Sequence, residues 1–188
     1  MATDRVIVHA DIEADFLQVL KRHLEAAATA SPPLVVSSGS AARLGAVLAD
    51  AKAKGAHVLS GGGAPPAGKA AHFVPTVIGG LTDDMQALKE ENFGPLMGYV
   101  TAKSEDEAVE VANSTAYGLS VSVFTRDLRK GFALAKRLES GAVHINSMTV
   151  HDEVALPFGG VKRSGWGRFN ADEGMEEFLV TKTVTWDD

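Results

Sequence analysis

Cysteine is absent from the 188 residues of this chain. The absence excludes a disulfide framework, a thiolate zinc site and a cysteine nucleophile within these residues. Blocks of lysine and arginine are also lacking, and the formal net charge of −6 argues against a nucleic-acid partner. No apolar run approaches the roughly 20 residues of a membrane span. The run at residues 6–8 is too short for a signal peptide, so a cytoplasmic location is expected.

The residues that are present have the composition of a globular protein, with 45% hydrophobic and 22% charged side chains. Short β-branched runs alternate with segments whose apolar residues recur at helical spacing. Strands are predicted at 5–9, 56–60, 96–101, 119–125 and 142–145, and helices from about 11, over 40–54, from 104 and from 127. Ser104 and Glu107 fit the capping-box pattern at the start of the third helix. Two helices have a predicted apolar face, formed by Leu44, Val47, Leu48 and Ala51 in the second and by Leu128, Phe132, Ala135 and Leu138 in the last. This alternation favours an α/β fold, with a mainly parallel sheet flanked by helices. A further edge strand is predicted over 178–186, where strand-forming residues dominate.

Residues 90–95 (EENFGP) form the first candidate site, because they place two carboxylates beside an aromatic ring at a rigid turn. Such a site suits the binding of sugar hydroxyls or general-base catalysis. The alternative is structural, with a glutamate at a helix terminus and a packed phenylalanine before the turn.

Residues 149–153 (TVHDE) form the second candidate, because His151, Asp152 and Glu153 share a predicted loop. A histidine beside carboxylates can be held protonated near neutral pH, which suits acid/base chemistry. The alternative is a solvated loop whose neighbouring side chains point apart. His57 and His144 fall in predicted strands and are interpreted as satisfied core residues. No pair of histidines has metal-ligand spacing, so no metal site is predicted.

Four motifs in fixed order resemble the C-terminal, catalytic-domain portion of the aldehyde dehydrogenase superfamily. They are residues 90–95, 112–119 (ANSTAYGL), 123–127 (VFTRD) and 157–165 (PFGGVKRSG). The run TVHDE before PFGG is similar to the salicylaldehyde and vanillin dehydrogenase branch. The resemblance covers nearly the whole chain, most strongly from residue 73 onward. Residues 1–8 resemble the segment directly after the family's catalytic cysteine.

The resemblance implies roles for individual residues. In the family, the carboxylate that matches Glu91 holds the nicotinamide ribose hydroxyls, and the ring that matches Phe93 packs near the nicotinamide. Phe158 matches a residue that lines the aldehyde tunnel, and a purely structural role for it is weighed equally. The loop at 149–153 matches one that frames the substrate entrance, which suggests an aromatic or similarly apolar carbonyl ligand. The family mechanism needs a thiolate and NAD(P)+, and the NAD-binding domain and the cysteine have no counterpart here.

Three functions are weighed for this chain. The preferred one is a stand-alone domain that binds an apolar or aromatic carbonyl compound and catalyses a cofactor-free acid/base step through His151, Asp152 and Glu153. The second is a fragment or split subunit of an aldehyde dehydrogenase, which would use NAD(P) if the missing domain is supplied. The third is a non-catalytic interaction protein. Dehydrogenase activity is not expected from this chain alone.

Residues 1–177 are assigned to a catalytic domain and residues 178–188 to an oligomerisation strand. The second segment resembles the strand through which family members pair across subunits. An unpaired edge strand readily pairs with another chain, so a homo-oligomer is predicted.

Overall fold

The computed structural model of the protein describes residues 3–27, 33–64 and 67–188. The chain divides into two compact units, Met1–Thr115 and Ala116–Asp188, which are called unit 1 and unit 2 below. Within the described ranges, no helix combines the length and the hydropathy that a membrane crossing requires.

Unit 1 is built on one four-stranded sheet whose strand order is β1-β4-β3-β2. Strands β1 and β4, and strands β3 and β4, pair in parallel, whereas β2 is antiparallel to β3. The strands are β1 (Arg5–His9), β2 (His57–Ser60), β3 (Thr76–Gly79) and β4 (Leu96–Ala102). The helices are α1 (Glu13–Ala27, after a 3-10 turn at Ala10–Ile12), α2 (Ser38–Ala53), α3 (Gln86–Lys89) and α4 (Glu105–Asn113). The predicted α/β fold with a mainly parallel sheet is confirmed.

Serine side chains cap the N-termini of two helices of this unit, α2 and α4. The Ser37 hydroxyl accepts a hydrogen bond from the Ser40 N–H at 3.1 Å, and α2 therefore begins two residues earlier than predicted. The predicted cap of α4 is confirmed, because the Ser104 hydroxyl accepts from the Glu107 N–H at 3.2 Å. The Glu107 carboxylate in turn accepts from the Lys103 N–H at 2.7 Å. These bonds satisfy N–H groups that a helix start leaves without a partner.

The hydrophobic core of unit 1 lies between the apolar face of α2 and the sheet. The α2 face predicted from residue spacing is buried, and Ile78 of β3 and Met85 pack against it. Burying one large aliphatic side chain stabilises a fold by about 1.5–3 kcal/mol. All four residues of β3 are buried, although the sequence did not predict this strand. Its apolar run is very short and lies between a proline and two glycines, which are turn signals.

Unit 2 contains two strand pairs and two helices. Strands β5 (Tyr117–Gly118) and β8 (Val161–Lys162) pair antiparallel, and β6 (Ser120–Val123) and β7 (Ala142–Ile145) pair in parallel. The helices are α5 (Leu128–Ala135) and α6 (Ala171–Glu176). The structure describes every residue of this unit, and the only fully buried residues are glycines.

Helix α5 begins at the predicted residue, but a different face of the helix packs against the sheet. The Asp127 carboxylate caps it by accepting from the Arg129 N–H at 2.9 Å. Leu128 and Phe132, which were predicted to face a core, are 57% and 62% exposed. Gly131 lies against the sheet instead, and a Cβ at this position would be 3.0 Å from Ile145 Cγ2. A glycine allows this close approach of helix and strand, and so it determines which face of the helix packs.

The predicted C-terminal edge strand is not observed. Residues 179–188 follow α6 without helix or strand and are exposed. A strand requires a neighbouring strand to satisfy its backbone N–H and C=O groups. No strand of the described ranges pairs with this segment. The division of the chain at residues 177 and 178 remains a prediction.

Candidate functional site

In unit 1, the candidate residues lie on a short loop between α3 and β4. Its centre is Asn92, whose side chain is 1% exposed and donates from Nδ2 to the Leu96 carbonyl at 3.1 Å. The Asn92 N–H donates to the Asp4 carboxylate at 3.2 Å. A buried asparagine with these bonds fixes the backbone on either side of it, where Glu91 and Phe93 stand.

Helix α2 anchors the same loop from a second direction. The Arg43 guanidinium donates from Nη1 to the Glu91 carbonyl at 3.3 Å and from Nη2 to the Asn92 carbonyl. Gly94 lies directly on the helix, because a Cβ there would be 2.5 Å from Leu44 Cδ1. The loop is therefore held by side-chain hydrogen bonds on one side and by close packing on the other.

Phe93 combines two features that are unfavourable for an isolated chain. Its φ angle is 48°, in the left-handed region that a bulky residue rarely adopts, and its side chain is 78% exposed. The left-handed backbone costs roughly 1–2 kcal/mol, and an exposed aromatic ring gains nothing from burial. Backbone strain of this kind concentrates at binding and catalytic sites, where the surrounding structure maintains it. Phe93 thus presents an apolar ring on a constrained backbone.

Glu91 lies two residues before Phe93 on the same loop and is half-buried. Burial, and to a lesser degree the charge on Asp4, raise the pKa of Glu91. Burial also raises the pKa of Asp4, although hydrogen bonds from Asn92 and the nearby arginines oppose this. A carboxylate that water solvates poorly is well suited to accept hydrogen bonds from a ligand's hydroxyl groups. The loop thus carries a half-buried carboxyl group and an exposed aromatic ring, and a joint role for the two stays a prediction.

In unit 2, the three predicted titratable residues separate into two interactions. His151 Nε2 lies 3.0 Å from Glu153 Oε1. Asp152 points elsewhere, and its Oδ1 accepts a hydrogen bond from Asn170 Nδ2 at 2.8 Å. The structure brings together a histidine and one carboxylate rather than all three groups.

These residues line a cavity of about 250 Å³. Phe158 forms part of its wall, and this ring packs on Phe169 with 5.2 Å between ring centroids. The two residues also exchange backbone hydrogen bonds of 2.8 and 2.9 Å, which fix the position of Phe158. Besides Phe158 and the three titratable residues, the cavity is lined by Gly141, Ala142, Val143, His144, Leu156 and Pro157. The second candidate site is thus a cavity with an apolar wall and an ionisable rim.

His144 belongs to this cavity, and its interpretation as a satisfied core residue is wrong. Its ring centroid lies 5.1 Å from that of His151, and its Nε2 is buried with no hydrogen-bond partner in the described part of the chain. Burial, and then the charge on His151, lower the pKa of His144. His57 is satisfied, because its Nε2 lies 2.7 Å from the Tyr99 hydroxyl, but it is exposed, so its interpretation as a core residue is also wrong. The sequence signals for a polar sheet face at His144 were the alternation of serine with valine in β6 and the single polar residue among the apolar residues of β7.

Residues 1–184 match the aldehyde dehydrogenase family. The chain belongs to this family. A vanillin dehydrogenase of Pseudomonas fluorescens is 35% identical over 98% of the chain, and a chloroplastic betaine aldehyde dehydrogenase of Beta vulgaris is 39% identical over 99% of it. The crystal structure of a succinic semialdehyde dehydrogenase of Streptococcus pyogenes with NADP+ superposes with a TM-score of 0.86 at 31% identity, covering 98% of the chain and 42% of that protein.

The chain spans 39% of the length of each of these two curated aldehyde dehydrogenases. The predicted similarity to the vanillin dehydrogenase branch is confirmed, but the betaine aldehyde dehydrogenase is at least as similar in sequence. Family membership therefore leaves the choice of aldehyde to be inferred from the chain's own side chains. Among the described residues, no three potential ligands are grouped to hold a metal ion.

Proposed function

We propose that this chain provides the contacts to the nicotinamide ribose and to the carbonyl substrate in an NAD(P)-dependent aldehyde dehydrogenase. The observation that carries the proposal is Phe93, an exposed ring on a strained backbone, two residues along the same loop from the half-buried Glu91. Local packing provides no reason for this arrangement, whereas a flat ligand with hydroxyl groups does. The resemblance to the family's EENFGP motif assigns that ligand as the nicotinamide riboside end of the cofactor.

The two residues have separate roles in this proposal. The Glu91 carboxylate accepts hydrogen bonds from the ribose hydroxyls, and the Phe93 ring packs beside the nicotinamide. Asn92 and Arg43 hold the loop, so little conformational entropy is lost on binding. NAD(P)+ held in this way would supply the hydride acceptor for the oxidation.

Unit 2 contributes the carbonyl contact. Phe158, Leu156 and Pro157 supply an apolar wall, which suits an aromatic or similarly apolar aldehyde. The covalent step of the family also requires a thiolate, and these 188 residues contain no cysteine. We therefore expect dehydrogenase turnover only when a thiol and a dinucleotide-binding domain are present together with these residues.

A second candidate is the cofactor-free acid/base function, which the sequence had favoured. The observation in its favour is the 3.0 Å contact between His151 and Glu153 at the rim of the cavity. A carboxylate that orients a histidine is a recurrent arrangement in general-base catalysis. The acid/base function ranks second because it does not explain why the Phe93 ring is exposed on a strained backbone.

The test is to titrate nicotinamide riboside and benzaldehyde separately into ¹⁵N-labelled protein and to follow the amide signals by NMR. We expect the riboside to perturb signals of residues 90–95 and benzaldehyde to perturb signals of residues 141–158. Glu91→Gln should weaken riboside binding about tenfold or more, the effect of losing a charged hydrogen-bond acceptor, and should leave benzaldehyde binding unchanged. Glu90→Gln is the matched control, because Glu90 is exposed on the same loop.

The pH dependence provides an independent check. Because the pKa of Glu91 is raised, riboside affinity should fall on acidification at a higher pH than an ordinary glutamate would produce. The loss should occur as the pH drops through that pKa, since only the ionised carboxylate accepts both ribose hydroxyls, and Glu91→Gln should abolish it. Riboside affinity that is the same in the wild-type chain and in Glu91→Gln would refute the cofactor role. Binding of benzaldehyde alone would support the second candidate, and binding of neither ligand would support an interaction protein.

A further inference from the structure

The backbone of Asn170 adopts a conformation that is found almost only in glycine. Its φ and ψ angles are 68° and 164°. A side chain is rarely tolerated there, and residues held in such conformations cluster at functional sites. The next residue, Ala171, also has a left-handed φ, of 52°. Two strained residues in succession require a compensating interaction, and a glycine at position 170 would remove part of the strain.

The Asn170 side chain makes interactions that a glycine lacks. Its Nδ2 donates to Asp152 Oδ1 at 2.8 Å and, less closely, to the Glu153 carbonyl at 3.3 Å. An amide nitrogen carries two N–H donors, so both are used. The Ala171 N–H donates in addition to the Val154 carbonyl at 3.0 Å. The strained pair thus holds three successive residues, 152–154.

Two of these three residues belong to the rim of the cavity in unit 2. Asp152 and Glu153 line the cavity, and Glu153 Oε1 lies 3.0 Å from His151 Nε2. Both carboxylate residues are exposed, so burial does not fix their positions. The hydrogen bonds from Asn170 and Ala171 restrain them instead.

We propose that Asn170 is a positioning residue for the cavity of unit 2. Its amide fixes the rim at Asp152 and Glu153, and through Glu153 it fixes the orientation of His151. The inference rests on the proposed function in one respect, which is the assignment of this cavity to the carbonyl ligand. It adds a residue that does not itself line the cavity and that determines whether the rim is formed.

Asn170→Gly separates a role of the side chain from a role of the backbone. Glycine adopts the observed φ and ψ without strain, so the variant should fold, with a melting temperature within about 4 °C of the wild type. Benzaldehyde should nevertheless bind about 3- to 10-fold more weakly, the effect of losing one hydrogen bond. Lys162→Gly is the matched control and should keep the wild-type affinity. Lys162 is another non-glycine residue of unit 2 with a left-handed φ, of 54°, and its side chain pairs with Glu139.

Asn170→Asp provides a pH profile that a purely structural role would not produce. At pH 7, the introduced carboxylate replaces the amide donor and repels Asp152, so benzaldehyde affinity should fall at least as far as in Asn170→Gly. On acidification, two neighbouring carboxyl groups share a proton, which restores a hydrogen bond to Asp152. Between pH 7 and pH 4, the ratio of wild-type to variant affinity should therefore approach one. The ratio for Asn170→Gly should stay constant, because the titration of His151 and Glu153 is common to all three chains.

A measurement without ligand distinguishes failure of this inference from failure of the proposed function. The side-chain ¹⁵N resonances of His151 should shift in Asn170→Gly, since Glu153 no longer holds the imidazole, and should stay in place in Lys162→Gly. Unchanged His151 resonances in Asn170→Gly would overturn the inference, as would wild-type benzaldehyde affinity in that variant. If benzaldehyde does not bind even the wild-type chain, the carbonyl contact is refuted, and the His151 resonances then decide alone whether Asn170 positions the rim.

Discussion

Replacement of Arg43 by methionine tests whether the Glu91–Phe93 loop is held in place by α2. Methionine keeps most of the apolar stem of arginine and removes the guanidinium. The variant therefore loses the hydrogen bonds to the carbonyls of Glu91 and Asn92 while the packing of the helix is largely retained.

The expected change in stability is the difference between two opposing effects. A hydrogen bond with a charged donor contributes about 1.5–3 kcal/mol, and the 3.3 Å bond to Glu91 lies beyond the usual distance range and adds less. The two bonds together amount to about 3 kcal/mol. Release of the loop lets Phe93 leave its left-handed conformation, which returns about 1 kcal/mol. Arg43→Met should therefore lower the free energy of unfolding by about 2 kcal/mol.

The assay is urea unfolding followed by far-ultraviolet circular dichroism, with nicotinamide riboside affinity measured on the folded variant. Arg22→Met is the matched control, because Arg22 is exposed on α1, and it should change stability by less than about 0.5 kcal/mol. Riboside binding should weaken only in Arg43→Met, since only this variant frees Glu91. If the two variants unfold at the same urea concentration and bind the riboside equally, α2 does not hold the loop.

Three other substitutions test the cavity, helix α2 and the C-terminal segment. A Cβ at Gly141 would overlap the carbonyl oxygen of Gly159, so Gly141→Ala should lower the melting temperature and abolish benzaldehyde binding. Gly45→Ala, in the middle of α2 with open space around it, should instead raise the melting temperature by a few degrees, through about 0.5–1 kcal/mol of helix propensity. We further propose that residues 178–188 pair between subunits, so Trp186→Lys should reduce the mass measured by sedimentation at micromolar concentration. A monomeric wild-type chain would contradict this pairing.

The fold followed from the sequence wherever local signals and packing agreed. The cap at Ser104 was predicted because it is a hydrogen bond between residues three apart in sequence, and the apolar face of α2 was predicted because its helical spacing coincides with its burial. Strand β3 was not predicted, since its position at the centre of the sheet depends on β2 and β4, which are distant in sequence. The C-terminal strand was predicted from propensity, and propensity supplies no pairing partner.

The candidate sites were predictable in their residue types and not in their geometry. The motif at residues 90–95 indicated a carboxylate beside a ring, but the strained φ of Phe93 and the anchoring by Arg43 depend on tertiary contacts. Adjacency in sequence suggested that the three groups at residues 151–153 act together. In the structure, Asp152 instead accepts a hydrogen bond from Asn170. His144 was missed because the sequence signals only a polar sheet face, whereas its unsatisfied Nε2 depends on tertiary contacts.

The uneven burial of the two units has a consequence for how this chain can change in evolution. Buried side chains of unit 1 tolerate few replacements, because each contributes to a close-packed core. In unit 2, the cavity residues are half-buried or exposed, and exchanges at such positions cost little free energy. New ligand preferences can therefore arise there by single substitutions, without compensating changes elsewhere. The loop that carries Glu91 and Phe93 lies on the constrained unit, so its ligand should remain the same while the aldehyde varies.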